Sequence, residues 1–139
     1  MRIQFIILTL IFLSANACKQ KVQPQNNSCI HTIIKKDELL GTVRNKFSET
    51  KSLSNTIYNY TEGLRFLDYG QCPEAFKAAF LKHIEAWDDM LKVTDKYPDI
   101  RGEMHAAFDS IKAKGDQEFE NKLDRIWKTW ENVEAAMSN

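Results

Sequence analysis

Residues 116–137 read DQEFENKLDRIWKTWENVEAAM, and the spacing of their apolar side chains decides the fold class. Phe119, Leu123, Ile126, Trp127, Trp130, Val133 and Met137 follow one another mostly at intervals of three and four, which lines them along one face of a helix. The positions between them are charged or polar. Glu118–Lys122 and Asp124–Lys128 fall at i, i+4 on the expected wet side. Asp116 suits the cap of this helix, and Gly115 suits the end of the one before it.

The same period extends toward the N-terminus. Residues 98–114 offer Ile100, Met104, Ala107, Phe108 and Ile111 as an apolar face. Residues 73–97 offer Phe76, Ala79, Phe80, His83, Ile84, Trp87, Met90 and Leu91. Pro73 fits a first helical turn, where its missing N–H would be unpaired anyway. Pro98 restricts the residue before it and should end that helix by Tyr97. Residues 37–69 place Leu40, Val43, Phe47, Ile57, Tyr60, Leu64 and Leu67 in helical register, with Gly70 as a stop. The middle of that segment, SETKSLSN at 48–55, is rich in side chains that compete with helix by local hydrogen bonding. No stretch alternates with period two for long enough to be a strand. The expected fold is a small all-α bundle over residues 29–139, of four helices, or five if the first breaks near Ser52 to Asn55. Short connections should make neighbouring helices antiparallel.

The chain has 139 residues with 19 basic and 19 acidic side chains, a balance that argues against a nucleic-acid binder driven by bulk charge. Apolar residues make up 43% and charged residues 27%, which argues against both a wholly disordered chain and a multi-span membrane protein. Five Gly and three Pro fit a helical protein better than a loop-rich β protein.

The N-terminus reads MRIQFIILTLIFLSANACKQK. Arg2 supplies positive charge, and residues 5–13 are apolar except for Thr9. Nine helical residues reach about 14 Å, half of a hydrocarbon core of about 30 Å. A charged start, a short apolar run and small residues at its end are the pattern of a secretory signal peptide over residues 1–17. Ala15-Asn16-Ala17 fits ordinary signal cleavage. Ala17 is also followed at once by Cys18, and this junction resembles the signal of bacterial lipoproteins, with Ala15 standing where that signal usually carries Leu. The resemblance implies lipidation of Cys18, which would become the first residue of the mature chain. Residues 19–28, KQKVQPQNNS, are polar without helical period and read as a tether.

Three cysteines are present, Cys18, Cys29 and Cys72. If Cys18 carries lipid in an exported protein, Cys29 and Cys72 are left to pair. The alternative is two separate reduced thiols. The pairing constrains the first segment. An unbroken helix over residues 37–69 would be about 48 Å long. The chain between Cys29 and Asp37 covers at most about 28 Å. A Cys29–Cys72 bridge therefore requires a bend near Ser52 to Asn55.

Signatures of chemistry are sparse. There is no Cys-x-x-Cys-His for covalent haem, no Glu-x-x-His pair for a di-iron bundle, no Gly-x-Ser-x-Gly elbow and no Gly-rich phosphate loop. The histidines His31, His83 and His105 are dispersed. No enzyme activity and no metal site are expected. His83, Trp87, Met104 and His105 are candidate ligand-binding residues, because a His with a Met or second His across a bundle can serve as an axial pair for haem. The plainer reading makes His83 a hydrogen-bonded core residue and Met104 filler. The tryptophans Trp87, Trp127 and Trp130 are expected in the core, with a partner groove as the alternative.

These features together predict a bacterial envelope lipoprotein, held to the membrane through Cys18, with a helical binding or interaction domain of unknown specificity for which an envelope protein is a candidate partner. It would face the periplasm, or the outside from the outer membrane. The second expectation is a carrier or sensor of a small apolar or haem-like ligand.

Overall fold

The computed structural model describes residues 27–138, and the secondary structure there is all helical. Five helices follow in order: α1 Asn27–Phe47, α2 Leu53–Arg65, α3 Glu74–Thr94, α4 Met104–Lys112 and α5 Gln117–Met137. The expected signal peptide, the lipid-bearing Cys18 and residues 19–26 of the tether lie outside the described residues. No helix among the described residues is long and apolar enough to cross a membrane.

The first segment breaks, as the cysteine geometry required, at 48–52 rather than at 52–55. The Ser48 hydroxyl turns back to donate to the Asn45 carbonyl at 2.7 Å. The Ser52 side chain accepts from Asn55 N and so caps α2. The Ser-rich stretch thus interrupts the helix through local hydrogen bonds, one serine at the end of α1 and another at the start of α2. From Cys29 to Phe47 α1 rises about 27 Å, and α2 returns about 18 Å from Leu53 to Arg65. Residues 66–72 close the remainder. Cys29 and Cys72 are disulfide-bonded, with Cα atoms 5.2 Å apart, and both are buried.

The start of α1 differs from the expectation. It begins at Asn27, ten residues before Asp37, because Cys29, Ile30 and Ile33 form an inward face that extends back into the polar stretch. α1 and α2 approach closely at Gly63, where an added Cβ would stand 3.0 Å from Leu40 Cδ2.

Helix α3 is the hub and packs against both α2 and α5, while α4 lies against α1 and α5. Phe76, Phe80, Ile84, Met90 and Val93 on α3 are essentially solvent-free, as are Leu53, Ile57 and Leu64 on α2 and Phe119 and Val133 on α5. Helix α4 starts at Met104, later than Pro98, since Gly102 adopts φ 135° and Glu103 caps by accepting from His105 N and Ala106 N. Gly102 N also donates to Ser48 O at 3.0 Å, which fastens this loop to the α1–α2 turn. Gly115, at φ 70°, and Asp116, whose side chain accepts from Phe119 N, separate α4 from α5 as expected.

On α5 the buried stripe is Phe119, Leu123, Ile126 and Val133, with Trp130 and Met137 partly buried on the same line. This is a strict 4-3 repeat. Trp127 lies one residue off it and is 57% exposed, which corrects its assignment to the core face. The expected pairs along α5 give way to pairs between elements. Glu118 bonds Lys96 at 2.7 Å, and Lys122 approaches Asp89 at 3.9 Å. The adjacent acids of α3 reach in different directions, Asp88 to Arg65 on α2 and Asp89 to Arg125 on α5. Successive helical positions do not share a face, so one acidic dipeptide can tie two neighbours.

Candidate binding groove

The C-terminal half of α1 keeps the inward register of Ile30 and Ile33 but fills it differently. Ile33, Asp37, Leu40 and Arg44 follow at intervals of four, three and four, so two charged residues occupy positions where the first half carries apolar ones. Charged groups at such positions need polar or aromatic partners in place of tight apolar packing, and they find them in Tyr60, Trp87 and Asn45. The result is a groove between α1 and the rest of the bundle, divided into three adjoining cavities that all touch Arg44.

The Arg44 guanidinium sits 4.4 Å from the ring centroids of both Tyr60 and Trp87. Those rings meet edge to face at 5.4 Å and form a corner around the cation. Its Nε and Nη2 donate to Asn45 Oδ1 at 3.3 Å. The nearby acids are otherwise engaged. Asp37 Oδ1 accepts from the Tyr60 hydroxyl at 2.5 Å, and Glu103 bonds His105 Nδ1 at 2.7 Å. Among the described residues Arg44 is in no ion pair. Burial lowers the pKa of Arg44, and burial raises those of Asp37 and Tyr60.

The first cavity, about 230 Å³, lies between α1 and α2 and is walled by Leu40, Val43, Arg44, Phe47, Thr56, Asn59 and Tyr60. Thr56 is 1% exposed, and its Oγ1 is, among the described residues, the buried side-chain oxygen without a hydrogen-bond partner. The second, about 160 Å³, has Asp37, His83, Trp87, Trp127 and Trp130 around Arg44. The third, about 50 Å³, adds Met104, His105 and Phe108.

The four residues proposed from sequence for ligand binding are thus split between two cavities, with Trp87 common to both. His83 is buried and fully engaged. Its Nε2 accepts from Trp87 Nε1 at 3.1 Å, and its Nδ1 lies 3.0 Å from Thr129 Oγ1. This network assigns the neutral tautomer with the proton on Nδ1. Burial, reinforced by Arg44, lowers the pKa of His83 to about 4. As placed, neither ring nitrogen faces a ligand. Met104 is buried at 2% and His105 points outward in its bond to Glu103. No group of three or more His, Cys, Asp or Glu side chains positioned to hold a metal ion occurs among the described residues.

The sequence reading did not single out Arg44, Asp37 or Thr56. The signal was present in the register of α1, where Asp37 and Arg44 continue an apolar stripe. Tyr60 was read as core and is indeed buried.

Comparison with known protein families, with curated proteins and with solved structures returns no match. The reading of function therefore rests on this chain's own residues.

Proposed function

We propose that this chain is an exported protein anchored to the bacterial cell envelope through lipid on Cys18, and that its helical domain is a binding module. The observation that carries the reading is the Cys29–Cys72 bridge. It accounts for two of three cysteines, and the third stands directly after the apolar leader and its small residues. A buried structural disulfide fits an oxidising compartment. Two or more acyl chains on Cys18 would give stable attachment, which one chain does not. Because α1 starts at Asn27, the link from Cys18 is short, about 30 Å at full extension.

The groove around Arg44 supports the binding half of the reading. It combines a guanidinium, exposed aromatic surface at Trp127 and the exposed Val43 and Phe47, at 52% and 42%. Trp, Tyr and Arg are the residue types that most often anchor a bound partner. The second reading, a carrier of a small ligand, is favoured by the same cavities, which are each smaller than the roughly 300–1,000 Å³ typical of drug-sized sites. A haem would in addition have to displace Trp87 from His83.

Intact-mass measurement of the protein extracted from its native membranes tests the anchoring. The expected species begins at Cys18, carries acyl groups and is lighter by two hydrogens for the bridge. A species that retains residues 1–17 without acylation would contradict it. Retention of an envelope protein or small ligand through that extraction is expected of a binding module, and a clean monomer without either counts against it.

A further inference from the structure

We infer that the cavity between α1 and α2 binds a small monocarboxylate with a short apolar chain, its head held by Arg44 and the Thr56 hydroxyl and its chain lying against Leu40, Val43 and Phe47. The inference deepens the reading of the domain as a binding module and rests on it.

Two independent features converge on this cavity. The first is a cation kept available. Arg44 is half-buried, fixed by two aromatic rings and left without an ion pair, although Asp37 and Glu103 both face it. Each of those acids is occupied, Asp37 by Tyr60 and Glu103 by His105 and the cap of α4. A guanidinium presents five donors in a planar fork that matches a carboxylate. Asn45 Oδ1 takes two of the N–H groups. The second feature is Thr56. A buried hydroxyl with no partner is costly, and native proteins rarely leave one. Thr56 lines the same cavity as Arg44, and its Oγ1 is closed off from solvent in the ligand-free protein, so a turn about χ1 on binding would bring the hydroxyl to the same head group.

The remaining wall sets the ligand class. Asn59 and Tyr60 complete it on the α2 side, while Leu40, Val43 and Phe47 are apolar, and Val43 and Phe47 open toward solvent, so a chain can enter from the surface. The volume of about 230 Å³ equals roughly seven or eight waters at about 30 Å³ each, which suits a ligand of about eight to ten heavy atoms.

Titration of the ¹⁵N-labelled, disulfide-intact protein with hexanoate, followed by NMR, tests this. Saturable shifts are expected at the Arg44 Nε–H and at the amides of residues 40–47 and 56–60. Hexanamide, the neutral isostere, should bind at least tenfold more weakly. Arg44→Gln should lose at least tenfold in hexanoate affinity. Thr56→Val removes the unpartnered hydroxyl at nearly constant volume, so it should fold as well as the parent while binding hexanoate several-fold more weakly. Equal affinity for hexanamide and hexanoate would overturn the inference, as would unchanged affinity in folded Thr56→Val, or no saturable shift with hexanoate. None of these outcomes bears on cleavage or acylation at Cys18, which the intact mass reports separately.

Discussion

Helix α1 has two halves that meet the bundle in different ways. The first carries Cys29, Ile30 and Ile33, all buried, and is bonded covalently to the turn before α3. The second carries Asp37 and Arg44 on the same line and leaves Leu39, Val43 and Phe47 between 42% and 60% exposed. Both halves are helical, so backbone propensity does not distinguish them. The side chains at the inward positions do. Where they are apolar they are buried against the neighbouring helices, and where they are charged they line the cavities around Arg44. A disulfide at the closed end lets the other end stay open without loss of the helix, because the chain is already fixed at one point and the entropy of holding it there is reduced.

The comparison can be broken by mutation. Phe119 on α5 is fully buried beside Phe108, with ring centroids 5.1 Å apart. Phe119→Ala should cost about 3–5 kcal/mol in urea unfolding. A loss below about 1 kcal/mol would mean that the α3–α5 side is not the rigid part. Replacing both bridge cysteines, Cys29→Ala with Cys72→Ala, should cost about 3–4 kcal/mol for a loop of sequence separation 43. If the double variant is as stable as the parent, apolar packing alone holds α1.

A pH experiment sharpens the picture of the wall shared by the groove and the core. His83 has its folded pKa lowered to about 4, while an unfolded histidine titrates near 6.5. Between those values the unfolded chain binds the extra proton, so stability is full above about pH 6.5 and falls as pH drops toward about 4. The total is on the order of 3 kcal/mol. His83→Gln should remove that part of the slope, read from urea midpoints across pH 4 to 7. Parallel profiles for parent and variant would show that His83 does not titrate differently on folding. The smallest effect belongs to the open half. Phe47→Ala should change stability by less than about 1 kcal/mol, since the side chain is already 42% exposed. A larger loss would show that the groove is closed in solution.

Much of this arrangement was legible in the sequence. The 4-3 repeat on α5, the Pro73 start of α3 and the Gly115–Asp116 punctuation translate directly into elements. The break of the first segment followed from cysteine distance, a covalent constraint stronger than propensity. The serines then placed it within a few residues. Three features escaped for physical reasons. Ser28 and its polar neighbours masked the first turn of α1, although Ile30 and Ile33 keep its register. Trp127 is apolar and adjacent to a buried position, and only the strict register separates it from the core. Arg44 reads as an ordinary surface charge until two rings from α2 and α3, distant in the chain, close around it.

Amide hydrogen exchange of the ligand-free, disulfide-intact protein measures the difference between the two halves of α1 most directly. Residues 31–34, past the first four N–H groups of the helix, are expected to exchange nearly as slowly as the centres of α3 and α5, and residues 40–47 measurably faster, although both stretches belong to one helix. Uniform slow exchange along the whole of α1, matching α3, would contradict the account.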